Sequence, residues 1–112
     1  MQRDLAYLID ILQAARLVQA GIQGISKKVF FGDWMRQSAV IRQLEIIGEA
    51  AKRLSDDFRH AHQEIPWRSI AGMRDILIHE YASVDLDEVW KAAQEDVPRL
   101  IALIEPLVPP LD

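Results

Sequence analysis

Apolar residues recur every three or four positions along almost the whole chain, and nowhere do they alternate strictly with polar ones. A period near 3.6 is that of helices, whereas half-buried strands need a period of two. Without an Asn-Gly or similar hairpin signal, no sheet is expected. The pattern predicts an all-α fold, an up-and-down bundle of four to five helices, four of them main. Its 112 residues, with five Gly and five Pro, fit one domain spanning 1–112.

The punctuation divides the chain. Helix 1 is predicted from Arg3 to Gly21, with Leu5, Leu8, Leu12 and Ala15 at helical spacing and Gly21 and Gly24 at its end. Tyr7, Ile11 and Val18 widen its apolar stripe to about 200°, about twice what one core-facing side needs, which predicts a face for another subunit. Ser26 to Phe31 is predicted as a short turn, and Asp33 as the N-cap of helix 2, from Trp34 to Leu54. In helix 2 the stripe Val40, Leu44, Ile47, Ala51 and Leu54 is core, while Ile46 stands among the charges of Arg42, Glu45, Glu49 and Arg53. Ser55 to Gln63 is polar, and Pro66 suits the start of helix 3, from Trp67 to His79. The last helix starts at Asp85 with Glu88 as capping-box partner and carries Leu86, Val89, Ala93, Val97, Leu100 and Ile104. Pro98 is expected to kink it, and Pro106, Pro109 and Pro110 to end it.

Composition then excludes several classes of function. There is no cysteine, which removes disulfides, thiolate metal sites and cysteine nucleophiles. A net charge of -4 argues against coating nucleic acid by bulk electrostatics, so any contact with nucleic acid is local. No unbroken apolar run approaches the roughly 18 residues of a membrane span, and Asp4 and Asp10 are foreign to a signal peptide. The expectation is a cytoplasmic protein without a membrane partner.

The chemistry-bearing stretch is GMRDILIHEY, residues 72–81, which sets Arg74, Asp75, His79 and Tyr81 within eight positions. Asp75 and His79 are four apart, so the carboxylate either orients the imidazole or is simply solvated. Arg74 and Tyr81, seven apart, share a helix face. Five residues turn His79 about 140° from Arg74 on an ideal helix, so these two do not share one face. Other candidates are weaker. Glu45 and Glu49 at i, i+4 are flanked by Arg42, Lys52 and Arg53 and read as an ion-paired face, and His60 and His62 at i, i+2 do not face each other. The dispersed Lys27, Lys28, Arg36, Arg42, Lys52, Arg53, Arg59 and Arg68 read as ordinary surface, and Trp34, Trp67 and Trp90 as core or interface anchors. No metal site and no cofactor are expected.

Arg, four residues, His, one residue, Tyr, as in Arg74, His79 and Tyr81, resembles the HepT-like branch of the HEPN superfamily. The blocks IRQLEIIGEAAKRLS, residues 41–55, IPWRSIAGMRDILIHEY, residues 65–81, and VDLDEVWKAAQEDVPRL, residues 84–100, are similar to its second, third and fourth helices. The resemblance implies a metal-independent endoribonuclease toxin that works as a homodimer, with Arg74 and His79 catalytic and Asp75 and Tyr81 supporting. It also implies an antitoxin partner, a minimal nucleotidyltransferase of the MntA type that adenylylates Tyr81. The rival expectation is a non-catalytic dimeric module that binds and regulates such a nucleotidyltransferase.

Overall fold

In the computed structural model, residues 2–78 and 85–110 are described, with backbone alone at residues 2 and 74–78. Among the described residues seven α-helices follow in order: α1 (Gln2–Ile22), α2 (Lys27–Phe31), α3 (Trp34–Arg53), α4 (Asp56–Ala61), α5 (Trp67–Ile78), α6 (Leu86–Lys91) and α7 (Val97–Ile104). No strand occurs among the described residues. The fold is an all-α, HEPN-like bundle whose long members are α1, α3, α5 and the α6–α7 rod.

α1 lies in the middle. Leu8, Ile11, Leu12, Ala14, Ala15, Val18 and Ile22 are all buried, because the helix packs against α3 on one side and α7 on the other. Its wide stripe is therefore mostly consumed inside the chain, which leaves little of it for the part expected to face another subunit. Leu17 is the exception, 56% exposed. By length and composition alone, Arg3–Ile22 is apolar enough to cross a membrane, although charged residues interrupt its apolar run. In the fold this span supplies core. The approach of α1 to α3 is close at Gly21, where an added Cβ would sit 3.3 Å from Val40 Cγ2. Gly24, at φ +74°, makes the turn that follows.

The short elements are made by caps rather than periodicity. Residues 26–31, expected as a turn, form α2, whose N-cap Ser26 accepts from the Val29 amide at 3.1 Å and whose Phe30 is fully buried 5.3 Å from the Trp90 ring. Lys27 reaches Asp87 at 2.6 Å and so ties α2 to α6. Asp33 caps α3 as expected, accepting from the Arg36 amide at 3.1 Å, while Arg36 Nη1 donates to the Gly21 carbonyl at 2.6 Å. In the polar stretch after α3, Ser55 caps α4 through the Phe58 amide at 3.1 Å. Asp4, buried at the start of α1, accepts from both the Ser55 amide at 2.8 Å and the Ser55 hydroxyl at 2.7 Å, which fastens α1 to the α3–α4 corner.

Pro98 acts one turn earlier than a simple kink. Residues Ala92–Asp96 form a π-helical turn between α6 and α7. Proline has no N–H for the carbonyl four residues back, and its ring crowds that carbonyl, so the preceding turn widens. The apolar face survives this shift, and Val89, Ala93, Val97, Leu100 and Ile104 are all buried. A 3₁₀ turn at Glu105–Leu107 closes the rod at Pro106.

Candidate active site

The motif helix α5 is set by its first turns. Ile65, Trp67, Ile70 and Met73 are buried, and the Trp67 indole donates to the His62 carbonyl at 2.9 Å. His62 stacks on Phe58 at 4.5 Å between ring centroids, and Phe58 lies 5.9 Å from Trp67. This aromatic knot under α4 fixes where α5 begins. With Ile70 and Met73 seated and α5 packed on α3, the backbone of Arg74 and Asp75 is carried on a helix whose first half is immobilised.

His79, Glu80 and Tyr81 lie outside the described residues, as do the side chains of Arg74 and Asp75. The expected Asp75–His79 hydrogen bond and the shared face of Arg74 and Tyr81 therefore fall outside them too. The far border of the segment is defined. Asp85 caps α6, its carboxylate accepting from the Asp87 amide at 3.0 Å and the Glu88 amide at 3.3 Å. Two anchored helices thus flank the motif.

Beside the motif helix runs a groove of about 280 Å³ lined by Pro66, Ser69, Ile70 and Met73 from the α5 side and by Asp96, Arg99, Leu100 and Leu103 from the α6–α7 rod. Its floor is aliphatic, and a guanidinium, a carboxylate and a hydroxyl stand at its rim. Ser69, Asp96 and Arg99 were not singled out from sequence. Asp96, Arg99 and Leu103 do keep helical spacing beside the apolar stripe, but periodicity does not tell which helix they will face.

The weaker candidates remain apart from this region. Glu45 and Glu49 line a groove with Arg42 and Arg53, and Arg42 Nη1 is 3.8 Å from Glu45 Oε2, as an ion-paired face requires. His62 Nδ1 is 3.5 Å from Glu64 Oε1. Among the described residues no three His, Cys, Asp or Glu side chains group as a metal site would need. Of the tryptophans, Trp67 is buried and Trp90 half-buried against the core, whereas Trp34 is 72% exposed.

Comparison with known proteins converges on the same reading. The family described as ribonuclease HepT-like matches residues 11–107. The chain is 48% identical to the probable ribonuclease HepT of Thermococcus cleftensis over 90% of its own length and 92% of the relative's. It is 41% identical to a candidate RNase of Methanocaldococcus jannaschii, over 93% and 96% of the two chains. To a candidate RNase of Caldanaerobacter subterraneus it is 42% identical over 89% of each. No solved structure matches it. With a family match that spans α3, the motif helix and the α6–α7 rod, and the Arg74, His79 and Tyr81 pattern intact, the chain belongs to the HepT-like ribonuclease family.

Proposed function

We propose that this protein is the toxin of a two-component toxin–antitoxin pair and a metal-independent endoribonuclease that acts in the cytoplasm as a homodimer. The observation that carries the reading is the complete motif, Arg74, His79 and Tyr81, in a chain matched by the HepT-like ribonuclease family over residues 11–107. His79 takes the proton of a ribose 2′-hydroxyl, whose oxygen attacks the adjacent phosphorus and displaces the 5′-oxygen of the next nucleotide. An imidazole with a pKa near 6.5 is matched to that transfer at neutral pH. Arg74 supplies fixed positive charge to the crowded phosphorane-like transition state, with a planar fork suited to its oxygens. The displaced 5′-oxygen takes up a proton from the His79 imidazolium or from water, so the products are a 2′,3′-cyclic phosphate and a 5′-hydroxyl, and no step needs a metal.

Control falls to Tyr81. A minimal nucleotidyltransferase of the MntA type transfers AMP from ATP to its phenolic oxygen and releases pyrophosphate. The adduct adds bulk and a negative charge two residues from His79, which repels RNA phosphate and covers the site. End-group analysis of the cleaved RNA tests the chemistry: cyclic phosphate ends support it, and 3′-hydroxyl or 5′-phosphate ends contradict it.

A further inference from the structure

We propose, resting on the RNA-cleaving role above, that the groove between α5 and the α6–α7 rod is a subsite for a guanine base of single-stranded RNA, with Asp96 setting the specificity. Met73 on the groove floor is the residue before Arg74, so the groove abuts the motif along the same helix. The buried side chains of Ile70, Met73 and Leu100 make that floor. Ser69, Asp96 and Arg99 are exposed at the rim.

Shape narrows the occupant. The α5 wall runs from Pro66 to Met73, roughly 10 Å at the helical rise per residue, around a space of about 280 Å³. That length seats no more than about two turns of a partner helix. A single flat ring system fits it, lying on the aliphatic floor, where the Met73 thioether adds a favourable sulfur contact to the ring edge.

Charge selects among the bases. Asp96 and Arg99 are three residues apart on the rod, yet among the described residues neither enters an ion pair, so both rim charges are available to a ligand. A carboxylate only accepts hydrogen bonds. Guanine offers two neighbouring N–H donors, at N1 and N2, that match the two oxygens of Asp96 as a bidentate pair. Adenine and cytosine pair one amine with an acceptor nitrogen, and uracil has one N–H between two carbonyls, so each sets an acceptor against the carboxylate. Arg99 supplies a planar fork for an adjoining phosphate, and the Ser69 hydroxyl on the opposite wall suits the guanine O6. The backbone supports the assignment, because Asp96 closes the π-helical turn Ala92–Asp96, and such turns are frequent where a helix serves a functional site.

Uncleavable RNA tests the subsite. Fluorescence anisotropy follows binding of short 2′-O-methyl oligouridines with guanosine, inosine or adenosine at the centre, strands that have no 2′-hydroxyl to attack. The wild type is expected to bind the guanosine strand about tenfold more tightly than the adenosine strand, the scale of a bidentate base contact. Inosine, which lacks the N2 amine, should fall between them. Asp96→Asn should bring the three affinities to within about twofold of one another. Arg99→Gln should weaken all three alike and flatten their salt dependence, as loss of a phosphate contact does. Glu95→Gln removes the same charge from the neighbouring position, which lines a different groove, and should leave the preference intact. Equal wild-type affinity for the three strands, no binding to any of them, or a preference that survives Asp96→Asn would overturn the proposal. Since no strand is cut, these outcomes are independent of whether His79 and Arg74 cleave without a metal. Helical circular dichroism on each variant separates loss of binding from loss of fold.

Discussion

His79 and Arg74 carry the proposed chemistry, and each is separable from the fold by substitution. Replacing either by Ala is expected to lower RNA cleavage about a hundredfold or more, the usual scale for removing a general base or a transition-state cation. The helical circular dichroism should stay unchanged. Tyr81→Phe keeps the ring and removes the acceptor oxygen, so incubation with the nucleotidyltransferase and ATP should leave its mass unchanged while the wild type gains AMP. Mass spectrometry that finds AMP on Tyr81→Phe would refute that assignment. Asp4 shows a structural role of similar weight. The Ser55 amide, joined by the Ser55 hydroxyl, holds its carboxyl below the ordinary carboxylate pKa against the opposing effect of burial. The bond therefore stabilises the fold fully above the ordinary carboxylate pKa, and this contribution fades as pH falls through the lowered folded value. Asp4→Ala should cost about 2 kcal/mol near neutrality, the scale of a hydrogen bond to a charged group, and the gap from wild type should narrow in acid. Denaturant melts at two pH values measure it.

Among the elements, legibility followed length. α1, α3, the described part of α5 and the α6–α7 rod are long enough for a 3.6-residue period to register, and Asp33, Pro66 and Asp85 mark their starts. α2 and α4, of five and six residues, are too short for any period and rest on the Ser26 and Ser55 caps. The π turn before Pro98 was invisible as such, since a proline announces a lost hydrogen bond but not how the backbone absorbs it. The motif was legible because its residues are close in sequence. Ser69 and Arg99 were not, because their lining one groove depends on how two helices pack. α5 depends on its buried first turn. Trp67→Ala should cost about 3–5 kcal/mol and lower cleavage in step with the fraction folded at a given temperature, a parallel that thermal melts and rates on one sample can check.

For the molecule as a whole, a central α1 fixes the arrangement. Packed on both sides, by α3 and α7, it makes one core that holds the motif helix at its edge, with a polar-rimmed groove alongside. How much of the α1 stripe stays inside the chain was not legible from sequence, because a stripe's width on a helical wheel does not count how many neighbours will cover it. The chemistry proposed for this scaffold uses protein groups alone. The most direct measurement is the rate of RNA cleavage by the purified protein in EDTA, wild type beside His79→Ala. The account predicts undiminished wild-type cleavage and a loss of about a hundredfold in the variant; equal rates in the two proteins, or activity only when a divalent ion is restored, would contradict it.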